Sequence, residues 1–442
     1  MTTTTPELYG TKDYKRSRKA YCIECAFEYF VALMVADSFL ASLLRTIGVS
    51  DSMIVIVASL VSLAFLFQFF AIFAVQRITN TKRFAIIFHF ASQLVFMSLF
   101  LIPFLGFATE VKAVLAIGGI LLAYFGNYFV TSVIYRWGNS YVQPSRRGRY
   151  CATKEMISLI SGSVATIGIG YVMGNFTNQN DLTLRNGGLI FAAIAILIFA
   201  VSDLICLLLI KNQIKPKEEV KKAVPMKEVW KNTLGNRNFV NVVILYVIYT
   251  VATYTTVGSI GAYKLNLLKG VDPIRALFWI QIINNVGVFS RFALSRPFGR
   301  YSDKNSYAKG ISLALLIATI GYAINIFTSP STWYLIIIFT MLYNIHHAGS
   351  SANFNNVTFS YVDEKYFVEA SAIKNSIAGI CGFGAAIFAS TLVKAMDGGK
   401  EIFGVTVYAP QILSAISCTL MIAGYIFNKL VIEKQKRIEF QA

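Results

Sequence analysis

Residues 139 to 158 read NSYVQPSRRGRYCATKEMIS, and residues 359 to 378 read FSYVDEKYFVEASAIKNSIA. Laid one over the other, they bring Ser140, Tyr141 and Val142 onto Ser360, Tyr361 and Val362, and Ala152, Lys154 and Ile157 onto Ala372, Lys374 and Ile377. Gly162, Ala165 and Ile167 continue the match at Gly382, Ala385 and Ile387. Each stretch joins two long apolar runs, so the shared SYV and AxK mark one equivalent loop in two copies of a helical unit.

Working outward, six apolar runs lie at 20–43, 52–76, 84–106, 112–135, 150–174 and 187–210. Six more follow at 239–262, 273–295, 308–328, 332–357, 369–395 and 409–430. Each is long enough to cross a hydrocarbon core of about 30 Å. Composition agrees: only 14% of the 442 residues are charged, against about 25% in soluble domains, and mean hydropathy is +0.59. This excludes a soluble enzyme. The expected fold is an all-α membrane protein with twelve transmembrane helices in two pseudo-symmetric six-helix bundles. Residues 1–210 form the first bundle, 211–238 a cytoplasmic linker, and 239–442 the second bundle with a short cytoplasmic tail. Pro216 to Asn238 is too charged to insert and is expected on the membrane surface, with Val224, Val229 and Trp230 on a short amphipathic helix.

The net charge of +18 does not point to nucleic acid, which needs cations gathered on one face beside aromatic platforms. The cations instead occupy short loops. The N-terminus and every second loop after it hold 29 lysines and arginines, and the opposite loops hold 6. This asymmetry places both termini in the cytoplasm of a cell-membrane protein. The polar, basic stretch from Met1 to Lys19 and the long first run predict a retained first span rather than a cleaved signal peptide. All six cysteines fall within or beside apolar runs, so no disulfide framework is expected, and the CxxC of Cys22 and Cys25 reads as helix packing.

The loops carry further motifs. FGRYSDKNSYAK sets Gly299, Asp303, Lys304 and Lys309 in the pattern G-x-x-x-D-[RK]-x-G-x-[RK]-[RK], with Ser306 at the second glycine. VQRITNTKR keeps Arg77 and Lys82 at matching spacing, with Gln76 in place of the acid. Pro144, Arg147, Gly148 and Arg149 match P-x-x-RG-[RK]. With the six-plus-six layout, these motifs resemble the major facilitator superfamily of secondary transporters over almost the whole chain. The resemblance implies two bundles around one central site lined by spans one, four, seven and ten. It also implies a gating role for Gly299, Asp303, Lys304, Arg77, Lys82, Arg147 and Arg149. Asp303 is expected to latch to the start of span five.

Independently of that resemblance, polar side chains recur at helical spacing on those same four spans. Span one carries Glu24, Glu28, Ser38 and Ser42 on one side, with Asp37 about 180° from Glu28 on a continuous helix. Span four carries Tyr124, Asn127, Thr131 and Tyr135, and span seven carries Tyr246, Tyr249, Thr250 and Thr253. Span ten, with Asn344, His346, His347 and their neighbours, is the most polar. Span eight adds Asn284, Asn285 and Arg291. Such residues are costly in lipid and face protein or water.

The candidate solute-binding residues are Glu28, Tyr124, Asn127, Tyr246, Tyr249, Asn284, Asn285, Asn344, His346 and His347. Glu28, Glu24 and Asp37 are candidates for carrying a coupling cation. His89, on span three, is expected to be structural, and the glycines of spans five and eleven to allow close helix approach.

The chain shows no P-loop, HExxH or GxSxG, so no catalytic residue, metal or cofactor is expected. The expected function is secondary active transport of a small polar solute, sugar-like by its Tyr, Asn, Thr and His lining, coupled to H+ or Na+, in a monomer. The alternatives are an amino acid or other zwitterion as solute, carried by an exporter or uniporter, or a transport-inactive receptor or scaffold of the same fold.

Overall fold

The structure is a computed structural model that describes residues 8–75, 79–142, 147–177, 182–212, 226–362, 366–402 and 404–435. Helices come in the order α1 (Lys12–Met34), α2 (Asp37–Ile47), α3 (Asp51–Ala58), α4 (Leu60–Val75), α5 (Thr81–Leu99), α6 (Thr109–Asn139), α7 (Arg147–Thr177), α8 (Leu182–Leu209) and α9 (Met226–Asn232). They continue with α10 (Arg237–Val271), α11 (Ala276–Lys304), α12 (Tyr307–Asn325), α13 (Leu335–Phe359) and α14 (Phe367–Ala395). A hairpin of β1 (Lys400–Ile402) and β2 (Val405–Val407), pairing Glu401 with Thr406, precedes α15 (Ala409–Leu430).

Among the described residues nine helical stretches are long and apolar enough to cross a membrane, and α1 with α2 makes a tenth, bent by 44°. α5 and α13 run for 19 and 25 residues; the histidines and amides they carry dilute their apolar character. Each of the twelve apolar runs thus has a helical counterpart. The protein is a helical membrane protein, as the sequence implies.

Span one departs from expectation. It breaks at Val35 and Ala36, and Asp37 opens α2 in the left-handed region at φ 46°. An aspartate tolerates that backbone better than most residues, and its carboxylate complements the positive end of the helix it starts. Glu24 and Glu28 on α1 therefore do not share one continuous stripe with Ser38 and Ser42 on α2. Nor does the opposed phase of Glu28 and Asp37 apply, since it presumed an unbroken helix.

The chain divides into two compact units. Unit 1 is Met1–Gly48 with Phe70–Ala223, and unit 2 is Val49–Phe69 with Val224–Ala442. In unit 1, Tyr21, Val130, Trp137, Tyr141 and Ile210 form a buried core. The Trp137 indole donates to the Lys211 carbonyl at 3.0 Å, and the Tyr141 hydroxyl donates to the same oxygen.

Unit 2 has a core of Val229, Phe239, Val362, Tyr366 and Ile373. Val229 anchors α9 there while Trp230 is exposed, and Val224 lies outside the described residues. The Tyr361 hydroxyl donates to the Ile432 carbonyl at 3.3 Å. The SYV repeat thus has one structural role in both units: a buried tyrosine ties the end of α6 or α13 to the chain just past the unit's last long helix.

Within unit 2, α3 and the start of α4 pack on α10 and α14. A Cβ at Gly379 would stand 2.3 Å from the Ser62 carbonyl oxygen, so only glycine permits that approach. A Cβ at Gly382 would meet side chains, the Tyr254 ring at 2.9 Å and the Thr250 methyl at 3.0 Å, whereas Gly168 and Gly384 face open space.

Candidate functional site

In unit 1, the middle of α1, the middle of α5 and the last two turns of α8 bring Glu24, His89 and Asp203 together. All three are fully buried. His89 Nε2 lies 2.8 Å from Asp203 Oδ2, and one ligand atom from each residue lies within 4.8 Å of the others. Cys25 Sγ donates to Glu24 Oε2 at 3.2 Å, and the Gln93 amide nitrogen sits 3.3 Å from His89 Nε2.

Beyond the ion pair between His89 Nε2 and Asp203 Oδ2, the buried atoms Glu24 Oε1, His89 Nδ1, Gln93 Oε1 and Asp203 Oδ1 have no hydrogen-bond partner. Two carboxylates and one imidazole carry a net charge of −1 even with His89 protonated. One further positive charge, a proton on a carboxylate or a bound cation, is needed to neutralise the group.

The sequence did not single out Asp203, and it assigned His89 to packing. The available signal was a lone acid in the apolar run LIFAVSDLICLLLI. Two carboxylates and an imidazole are donor types that could hold a cation. Glu28, one turn beyond Glu24 on α1, is half-buried and within Coulombic reach of His89. Asp37 stands apart, at the break of span one.

The other unit 1 candidates have quieter surroundings. Tyr124 packs edge-on against Phe96 at 5.3 Å, and Asn127 keeps a buried, unpartnered Oδ1. Lys82 donates to the Leu208 and Ile210 carbonyls at 2.6 and 2.9 Å. It therefore caps the end of α8, as a cation at a helix C-terminus should. Gln76 and Arg77 lie outside the described residues, as do the side chains of Arg147 and Arg149 at the start of α7.

In unit 2, α10 and α13 bring the candidate residues His346 and His347, together with Ser350, to the Tyr249 hydroxyl. It lies 3.2 Å from His347 Nδ1, 3.4 Å from His346 Nε2 and 3.1 Å from Ser350 Oγ. A phenol has one proton and two lone pairs, so at most one of these neighbours accepts from it and the others donate. Tyr246 stacks on Tyr249 at 6.1 Å, and Arg291 acts electrostatically on Tyr249, His346 and His347.

Lys374, two turns into α14, holds its ammonium 4.6 Å from the centre of the Tyr246 ring. It lies near the start of the apolar run 369–395. Lys264, counted from the sequence as a loop cation, lies inside the longer α10 and donates to Asn284 Oδ1 at 2.7 Å.

Asn285 and Asn344 turn back on their own helices, donating to the Gln281 and Thr340 carbonyls at 2.7 and 2.9 Å. Asn344 also fills the space over Gly287, where a Cβ would meet its amide nitrogen at 2.4 Å. Asn344 thus sits at a close approach of α11 and α13. The loop signature is likewise not a turn at its glycine. Gly299 is helical with open space around it, Asp303 and Lys304 are exposed in the last turn of α11, and the turn comes at Ser306, which caps α12 by accepting from the Lys309 amide at 3.1 Å.

The sequence profile described as "Major Facilitator Superfamily" matches residues 25–386. The chain belongs to that superfamily. No curated protein sequence matches it. Solved structures of superfamily-like transporters share its fold at low identity. The nucleoside transporter NupG superposes with a TM-score of 0.66 at 12% identity, over 96% of this chain and 100% of NupG.

A bacterial homologue of the human drug peptide transporters PepT1 and PepT2 gives 0.63 at 11% identity, over 95% of this chain and 98% of its own. A bacterial homologue of the iron transporter ferroportin, in an outward-facing state with soaked iron, gives 0.59 at 12%, over 96% and 100%. At these identities the likeness concerns the fold. This superfamily member is thus a membrane transporter and not an enzyme, with the paired polar centres described above inside its helices.

Proposed function

We propose that the protein is a secondary active transporter that moves a small polar solute by alternating access of two six-helix bundles, with both termini in the cytoplasm and a proton as coupling ion. The observation that carries the coupling is the charge count at Glu24, His89 and Asp203. A fully buried group one positive charge short of neutrality gains and loses that charge with the protein's access to water. The solute-binding part of the proposal rests on Tyr246, Tyr249, His346 and His347, which present hydroxyl and imidazole donors and acceptors on a stacked aromatic surface. Such a surface suits a hydroxylated solute such as a sugar, or a nucleoside, the solute named for one structural relative.

Glu24→Gln removes the titratable group and keeps its shape. In proteoliposomes loaded with a pH dye and given glucose, uridine, glycine or succinate, the wild-type protein should move protons with its solute. Glu24→Gln should abolish uphill uptake while leaving exchange measurable, and Glu28→Gln should have the smaller effect. Undiminished uphill uptake by Glu24→Gln overturns the coupling site. Solute-driven sodium movement without proton movement would replace the proton by sodium.

A further inference from the structure

The superfamily reading leaves one buried charge without a use. Lys374 is 1% exposed, and its ammonium has neutral neighbours: the Phe354 carbonyl at 3.4 Å, Asn355 Oδ1 at 3.4 Å, Thr358 Oγ1 at 3.3 Å and the Tyr246 ring. Among the described residues no carboxylate pairs with it. The three oxygens stand beyond the usual range for N–H···O bonds. Lys82 and Lys264 hold their acceptors more tightly, at 2.6 Å to the Leu208 carbonyl and 2.7 Å to Asn284 Oδ1, and the longer contacts of Lys211 and Lys429, at 3.2 and 3.3 Å, are to carboxylates. A buried ammonium held only by long contacts to neutral groups is costly, and such residues within a membrane mark binding or ion pathways.

The repeat supplies a control inside the same molecule. Lys154 occupies the equivalent position in the first copy, and its ammonium also stands 4.6 Å from the centre of a tyrosine ring, that of Tyr21. The residue that neighbours each lysine from span four or ten is also equivalent, Tyr135 at 5.4 Å in unit 1 and Asn355 in unit 2. The two sites differ in their acids. In unit 1, α1 carries Glu24 and Glu28, both within Coulombic reach of Tyr21. In unit 2, α10 carries no acid at all, and the acids on the unit's other membrane helices, Asp51, Asp303 and Glu369, stand in first or last turns. Each lysine thus sits over a tyrosine of its unit's first long helix, Tyr21 on α1 and Tyr246 on α10, and only in unit 1 does that helix also carry acids.

We propose that the solute itself supplies the missing negative charge: it is a small organic anion whose carboxylate binds Lys374 in front of Tyr246. The rest of the solute extends along the stacked Tyr246 and Tyr249 rings toward His347, within the field of Arg291. In the structure, ring face and neutral oxygens take the place the anion would occupy. A carboxylate displaces these weak contacts and makes a charge-assisted hydrogen bond. The proposal rests on the transporter reading and replaces its neutral hydroxylated solute with an anionic one.

The test uses the purified full-length protein at fixed ionic strength. Formate, lactate, malonate, succinate and inorganic phosphate are compared with glucose and uridine by thermal shift, and by counterflow of labelled solute in proteoliposomes. At least one carboxylate should stabilise the protein saturably. Lys374→Gln should weaken that carboxylate's binding at least about tenfold, while Lys374→Arg, which keeps the charge, should weaken it by less than about threefold. Binding of phosphate alone would keep the charge assignment and overturn the carboxylate.

Counterflow by the wild-type protein needs no variant and keeps the test sound if Lys374→Gln does not fold. If a neutral solute is carried and no anion is, the transporter reading stands and the anion proposal is wrong. If neither class binds or moves, both are wrong.

Discussion

His89 and Asp203 meet at 2.8 Å inside unit 1, on α5 and α8, with neither exposed to solvent. Burying an ion pair contributes little by itself, but removing one partner strands the other. His89→Ala should therefore cost about 3–5 kcal/mol, read as thermal unfolding in detergent. His89→Ala combined with Asp203→Ala should cost clearly less than the sum of the single changes. Additive losses would show that the two side chains do not act as a pair.

Gly287 tests the packing role of Asn344. The added Cβ of Gly287→Ala would stand 2.4 Å from the Asn344 amide nitrogen and 2.9 Å from the Thr340 carbonyl oxygen. The amide can rotate away, but the carbonyl belongs to the α13 backbone. A loss of about 1–3 kcal/mol is expected. Gly384→Ala, with nothing within 4 Å of the new atom, should leave unfolding unchanged or slightly raised in temperature.

Topology follows from the basic loops. In a cysteine-free background, Thr5→Cys and Val220→Cys should resist a membrane-impermeant thiol reagent in intact cells and react after permeabilisation. Labelling of either position in intact cells would reverse the orientation.

Asp272, in the turn between α10 and α11, accepts from the Arg275 and Ile274 amides at 2.9 and 3.2 Å and from the Trp279 indole at 3.1 Å. These bonds, the Arg275 amide first, hold its carboxyl below the ordinary carboxylate range. A carboxyl lowered in the folded state contributes stability above its unfolded value, about 3.9, and loses it as pH falls through the folded value. Amide exchange in the first turn of α11 should be slow at neutral pH and accelerate, beyond its intrinsic pH dependence, only in strong acid. Asp272→Ala should show the faster exchange at neutral pH as well. Equal protection in variant and wild type at pH 7 would rule out the cap.

The sequence made the spans and the duplication legible, because lipid imposes length and apolarity on each segment separately. It also made Tyr249, His346 and His347 legible as members of polar faces, since a face is a property of one helix. It did not reveal Glu24, His89 and Asp203 as a group, because periodicity within α1, α5 and α8 says nothing about which three faces converge. The break before Asp37 left no glycine or proline to announce it. Lys264 was misplaced because α10 continues to Val271, well beyond its apolar run. Lys374 was visible as a charge, but that its neighbours are neutral is a fact of tertiary packing.

The tyrosine ties of the two units bear on how the chain is made. Tyr141 finds its acceptor 70 residues downstream at Lys211, and Tyr361 finds its own 71 residues downstream at Ile432. Neither bond can form while the ribosome still holds the segment that brings the acceptor. Each tie can therefore form only after the unit's last long helix has been made. A chain truncated before Lys211 would present Tyr141 with no carbonyl to meet.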